Sequence, residues 1–202
     1  MLRKLAGNKI EEVLARLASS LYRQGITPNS LTCTGLFING AAAYVYYKGF
    51  WMLGGIVILF AGLFDMLDGA VARAGENVSK IGGFFDAVVD RYSDFLIFGG
   101  VLAYFATNGD FGKVILVLAI LGGAFMVSYV RARAELVIPQ CDVGLLERPE
   151  RIIILAAGSI FNFLDAALWF LAVFTHLTAI YRIYYTYKYA KKSSQETTAH
   201  VK

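Results

Sequence analysis

Residues 114–130 run for 17 positions without a charged side chain, and 53–64 do the same over 12. A segment that is apolar on every face needs a nonpolar medium around it, either a large protein core or lipid. The chain is only 202 residues long, and 57% of them are hydrophobic, with mean hydropathy +0.57. A soluble domain of that size does not need so much apolar mass. The fold class read from this is an all-α membrane protein with several spans of about 20 residues each. A transmembrane β-barrel would instead show many short segments of alternating polarity.

Residues 1–24 predict an amphipathic helix. Ile10, Val13, Leu14, Leu17 and Leu21 fall three and four apart on one face, with Lys9, Glu11, Glu12, Arg16 and Arg23 largely off it. Such a helix suits the membrane–water interface, and equally a seat on other parts of the protein. Gly25 stops it, Thr27 caps the next helix, and Pro28 takes that helix's first position. Six transmembrane helices follow within 30–187. The first is 30–47, with a turn at Lys48 and Gly49; the second is 51–73, with a polar loop at 74–81. The third is 82–106, closed by Asn108, Gly109 and Asp110, and the fourth is 111–130, followed by a charged loop at 131–151. The last two lie within 152–187 and part near Asn162; the fifth is short unless it starts near Leu145. Residues 1–190 make one domain, and 191–202 form a polar tail expected to lack order. The first thirty residues carry charges throughout and do not read as a cleavable signal peptide.

The net charge of +4 would hint at nucleic acid in a soluble protein, but the positions of the charges argue otherwise. With six spans, all but Lys48 and Lys113 of the 19 basic residues fall on one side. The positive-inside rule then puts both termini in the cytoplasm and the protein in the cell membrane. Five spans would leave Arg182, Lys188, Lys191 and Lys192 outside. Tyr44, Tyr46, Tyr47, Phe50 and Trp51 read as an interface belt, and the tyrosines from 181 to 189 as its counterpart. His176 has no second histidine near it and reads as a packed or interfacial residue. Cys33 and Cys141 are two distant thiols that make no disulfide framework or metal cluster.

Against this apolar background several carboxylates stand out. Asp65 and Asp68 are three apart on one helix face; Asp86, Asp90 and Asp94 are four apart on one stripe of the next span. A carboxylate at the bilayer centre costs roughly 2.5–3.5 kcal/mol, and clustered ones also repel. Protonation, a basic partner or bound cations must offset this. The short loop between the two helices places both pairs near the cytoplasmic end, facing each other, which favours cations. Hard oxygen ligands in that number suit Mg²⁺ or Mn²⁺, and two such ions can clamp a phosphoryl group in an in-line displacement. Gly69 and Ala72 let a ligand approach the backbone, Arg73 is placed to pair with phosphate oxygens, and Gly82 and Gly83 open the third span.

The pattern Asp65, Asp68-Gly69, Ala72-Arg73, Gly82, Asp86, Asp90 fixes eight residues over 26 positions. It resembles, without departure, the signature of the CDP-alcohol phosphotransferases, and span number and length extend the likeness over most of the chain. The resemblance implies that Asp65, Asp68, Asp86 and Asp90 hold two metal ions per active site, Mg²⁺ or Mn²⁺. It implies that Asp90 is also the general base that takes the acceptor's proton. Gly69, Ala72, Arg73 and Gly82 would bind the CDP group, joined by Pro28, Asn29 and Thr32 before the first span. The acceptor oxygen would attack the phosphorus carrying the lipid, and CMP would leave. Diacylglycerol and archaeol would present the same CDP group, and members of the family are commonly homodimers. Asp94 lies outside the signature and reads as a helix-facing polar residue.

Arg131, Arg133, Arg148 and Arg151 gather at the cytoplasmic mouth of the fourth and fifth spans. They could be ordinary positive-inside residues or headgroup contacts. The stretches 128–135 and 147–151 resemble the inositol-phosphate-using branch of the family, in which basic residues bind the acceptor's phosphate. That branch usually carries Lys where Arg131 stands, and Arg binds phosphate with a different geometry. The implied acceptor is a phosphorylated polyol, inositol 1-phosphate first and glycerol 3-phosphate second. Two other classes compete. Intramembrane carboxylates also mark ion-coupled transporters, but these cluster at one membrane face and no inverted repeat is visible. A scaffold would be indifferent to loss of Asp86 and Asp90.

Overall fold

The computed structural model describes the backbone of residues 8–75 and 78–200, and side chains from 13 to 75 and 78 to 191. Residues 1–7 and the side chain of Ile10, part of the predicted amphipathic face, lie outside that range. Among the described residues there are seven α-helices and no strand: α1 (Asn8–Arg23), α2 (Pro28–Tyr47), α3 (Trp51–Ala74), α4 (Lys80–Thr107), α5 (Phe111–Ala134), α6 (Arg148–Ile160) and α7 (Leu164–His200). The chain divides into two compact units, Met1–Gly100 and Val101–Lys202.

In the first unit the chain turns where the backbone demands glycine. Gly25 ends α1 at φ +80°, and Gly49 closes the α2–α3 turn at φ +78°. The Thr27 hydroxyl accepts the Ser30 amide at 3.3 Å, with Pro28 opening α2. Tyr46 is fully buried, and its ring occupies the space a side chain at Gly54 would need, holding α2 against α3 beside their turn. Ala18 seats α1 on Leu31, Ala70 and Val71, with Leu21, Ile26, Phe64 and Leu67 around them. Val13 and Leu17 of the same helix remain exposed. At the far end of α2, Gly100 lies directly against the Ala43 backbone.

In the second unit α5 buries Leu116, Val117, Ile120, Ala124 and Val127 while Ile115, Leu118 and Phe125 stay exposed. A helix that is apolar on its inner and outer faces is solvated by lipid, not water. Gly123 admits Thr175 of α7 to the α5 backbone, and the exposed His176 lies with its Nε2 3.0 Å from the Ala119 carbonyl. Lys113 meets Asp165 at 2.9 Å, joining the start of α5 to the start of α7. Asn162, at φ +60°, makes the α6–α7 turn where the sequence placed it.

Three boundaries differ from expectation. α4 starts at Lys80 because the Ser79 hydroxyl accepts the Gly82 amide at 2.9 Å and caps it. α6 starts at Arg148, with Pro149 in its first turn, and so spans 13 residues, about 20 Å at 1.5 Å per residue. α7 continues to His200, past Lys191 where polar composition predicts loss of order; helix propagation from a long packed segment carries it on. Among the described residues three helices, within Trp51–Ala74, Phe111–Ala134 and Leu164–Lys191, are long and apolar enough by themselves to cross a membrane. The others fall short for visible reasons. α2 is diluted by Asn29, Ser30, Thr32, Thr34 and Asn39, α4 carries Asp86, Asp90, Arg91 and Asp94, and α6 is short.

Candidate active site

All eight signature residues lie in the first unit. α3 places Asp65 and Asp68 one turn apart, and the end of α2 that starts at Pro28 packs over them. Asp68 is buried, with 5% of its surface exposed, and its Oδ2 accepts the Thr32 hydroxyl at 2.7 Å. Asp65 is half-buried beside Gly35, where an added Cβ would lie 3.2 Å from its Oδ1. The charges nearest in effect to Asp68 are those of Asp86 and Asp65, each of its own sign. Asp90 is half-buried and lies 3.6 Å from the Arg91 guanidinium.

The nucleotide candidates lie on α2, α3 and α4 of the same unit. Arg73 is exposed at the end of α3, and its Nη1 would lie 3.4 Å from a Cβ at Gly69, so the guanidinium covers the bare Gly69 backbone. Ala72 is half-buried, Asn29 is exposed, and Gly82 sits in the first turn of α4. Thr32 is 3% exposed and faces Asp68, so the structure gives its hydroxyl a carboxylate partner that spacing alone could not reveal. Asp94 is 4% exposed on α4.

The donor set fits a divalent cation: hard oxygens, one of them deeply buried, in a local excess of negative charge. Among the described residues no three acidic, histidine or cysteine side chains close into a ready-made metal cage. Mutual repulsion of like-charged carboxylates opposes such closure.

The acceptor candidates lie in the second unit, on and around the 135–147 loop. Arg131 is engaged by Glu135 at 2.9 Å, Asp142 at 2.6 Å and Glu147 at 3.6 Å. Arg182, 2% exposed, reaches the same Glu147 at 3.0 Å and donates to the Val143 and Val127 carbonyls at 2.7 and 2.8 Å. Arg151 is 1% exposed and donates to the Leu146 carbonyl at 3.3 Å; Arg148 is half-buried and Arg133 exposed. Arg131 and Arg133 are two positions apart, which directs them to different sides of α5. The structure therefore pairs Arg131 with Arg182, through Glu147. Arg182 is not among the acceptor candidates that spacing suggests; the available signal is an arginine inside an otherwise apolar segment of α7.

The sequence model of the CDP-alcohol phosphatidyltransferase domain matches residues 25–183. The chain belongs to this family. As a CDP-alcohol phosphatidyltransferase it is a multi-pass membrane enzyme of phospholipid biosynthesis, moving a phosphatidyl-type group from a CDP-linked lipid to an alcohol. Among its relatives is an archaetidylinositol phosphate synthase of Pyrococcus horikoshii, 38% identical over 87% of this chain and 92% of that one. A crystal structure of phosphatidylinositol phosphate synthase from Mycobacterium tuberculosis with CDP-DAG bound matches with TM-score 0.80 and 34% identity, over 87% of this chain and 94% of that one. A structure of the same enzyme with manganese and citrate matches with TM-score 0.80 and 34% identity, over 86% of this chain and 88% of that one.

Proposed function

We propose that this phosphatidyltransferase makes a phosphatidylinositol-phosphate-type lipid, joining a CDP-linked diacylglycerol or archaeol to inositol 1-phosphate with release of CMP. The observation that carries the reading is buried Asp68 among like charges within an unbroken family signature, in a chain whose similar relatives are named inositol-phosphate lipid synthases. Asp65, Asp68, Asp86 and Asp90 hold two divalent ions, Mg²⁺ or Mn²⁺. When bound, such ions neutralise charge developing on the phosphate oxygens. Gly69, Ala72, Arg73 and Gly82, with Asn29, orient the CDP group. Asp90 removes the proton from the attacking hydroxyl, which is barely ionised at neutral pH. A new P–O bond forms to the acceptor, and the bond to CMP breaks.

The acceptor's phosphate is drawn to basic residues of the second unit: Arg131, Arg133, Arg148 and Arg151, with Arg182 joined to Arg131 through Glu147. A dianion competes well with Glu147 and Asp142 for guanidinium groups, because charge-assisted bidentate bonds to phosphate are strong. Residues 1–190 act as one catalytic domain of six spans, with both termini and the active site cytoplasmic. α1 lies in the interface with Val13 and Leu17 toward lipid, and the enzyme is a homodimer. The test is CMP release by purified protein from CDP-diacylglycerol and CDP-archaeol, with inositol 1-phosphate, glycerol 3-phosphate or free inositol, in Mg²⁺, Mn²⁺ or EDTA. The proposal requires turnover with inositol 1-phosphate that EDTA abolishes. Preference for glycerol 3-phosphate would change the acceptor; turnover with free inositol but not its phosphate would remove the role of the arginines.

A further inference from the structure

We propose that Thr32 and Gly35 of α2 form a positioning surface for the metal-binding carboxylates, and that the Thr32 hydroxyl serves Asp68 and not the nucleotide. The inference rests on the metal site proposed above. α2 and α3 are antiparallel neighbours joined by a three-residue turn, and residues three apart on each share a face. On α2 that face offers Thr32 and Gly35; on α3 it offers Asp68 and Asp65.

At Thr32 the hydroxyl proton has two acceptors in reach, Asp68 Oδ2 at 2.7 Å and the Pro28 carbonyl at 3.1 Å. The Pro28 contact is the ordinary back-bond of a helical threonine. The carboxylate contact is shorter and charge-assisted. With Thr32 3% and Asp68 5% exposed, water cannot take over either role. A hydroxyl has one proton, and phosphoryl oxygens only accept, so a proton committed to Asp68 is not available to a diphosphate. Fixing one oxygen of Asp68 limits the rotation of the carboxylate and so the directions open to its other oxygen. Loss of a partner that orients a metal-binding side chain typically weakens metal affinity about 10- to 100-fold.

At Gly35 the device is absence of bulk. A Cβ there would lie 3.2 Å from Asp65 Oδ1 and 3.5 Å from the Phe64 Cβ. An alanine must therefore push the carboxylate or part the helices. One helix thus holds Asp68 by a bond and leaves room for Asp65 by lacking a side chain.

The experiment measures Mn²⁺ binding directly, by loss of the free-Mn²⁺ electron paramagnetic resonance signal, on detergent-purified wild type, Thr32→Val, Thr32→Ser, Gly35→Ala and Asp68→Asn. KM for CDP-diacylglycerol is measured alongside at saturating Mn²⁺. The expected result is Mn²⁺ affinity weakened about 10- to 100-fold in Thr32→Val, near wild type in Thr32→Ser, and weakened in Gly35→Ala, with KM for the CDP-lipid unchanged in Thr32→Val. Gly35→Ala keeps the test open if Thr32→Val does not fold. Unchanged Mn²⁺ affinity in Thr32→Val with a raised KM would overturn the inference and return Thr32 to the nucleotide. Thr32→Ser as weak as Thr32→Val would overturn it in favour of methyl packing. If wild type and Asp68→Asn alike leave the Mn²⁺ signal intact, the metal site itself is wrong and this inference falls with it.

Discussion

Replacing Arg182 by methionine removes a guanidinium that is 2% exposed while keeping most of the side chain's length. Three hydrogen bonds go with it: to Val143 O at 2.7 Å, to Val127 O at 2.8 Å and to Glu147 Oε1 at 3.0 Å. Hydrogen bonds involving a charged group contribute about 1.5–3 kcal/mol each, so the sum sets an upper bound near ~9 kcal/mol. Two effects reduce it. Methionine recovers packing along the apolar stem, and Glu147 retains Arg131 at 3.6 Å. The expected net loss is roughly 2–6 kcal/mol, about 1–3 kcal/mol for each of the two carbonyls left without this donor, because the Glu147 side chain is 44% exposed and solvated. Arg182→Lys keeps one of the three contacts and should fall between. Unfolding midpoints in detergent give the stability, and amide hydrogen exchange across 135–147 locates the damage. The loop should exchange faster in Arg182→Met while α2 and α3 keep wild-type protection. A loss below about 1 kcal/mol, with loop exchange unchanged, would show that the three bonds hold nothing the loop does not already hold itself.

Asp90→Asn should lower kcat for CMP release by about 10²–10⁴-fold with the fold intact, checked by circular dichroism; this is the usual contribution of a general base. Gly123→Val places a Cβ 2.8 Å from that of Thr175 and should destabilise the second unit by about 1–3 kcal/mol in thermal unfolding. Lys113→Met should change the same midpoint little, by an amount equivalent to about 0.2–1 kcal/mol. Lys113 and Asp165 are 32% and 67% exposed at the side chain, so solvent screens their 2.9 Å contact.

The helices were largely legible because local rules decide them. Thr27 before Pro28, glycines at 25, 49 and 109 and Asn162 at the last turn each mark a backbone need that few residues meet. The start of α6 was less legible: Pro149 sits within its first turn while Glu147 provides no side-chain cap, so composition offered two equally good places to begin. The end of α7 was misjudged because polar residues can still propagate a helix already nucleated upstream. The signature aspartates were legible because spacing confines them to helix faces. Their partners were not: Thr32 and Asp68 are 36 positions apart, and Arg182 reaches back 39 and 55 positions to Val143 and Val127. Contacts at that separation exist only once the helices pack, and an arginine or threonine carries no local mark of the carbonyl or carboxylate it will find.

Arg182 also sets an order of events during synthesis. The ribosome makes Val127, Val143 and Glu147 well before it makes the residue that ties them together. Until α7 has entered the bilayer, the segment from 135 to 147 has Arg131 as its main internal tether and a short α6 behind it. A nascent chain stalled before residue 182 should therefore have this segment open to protease, with protection arriving only when the last helix docks.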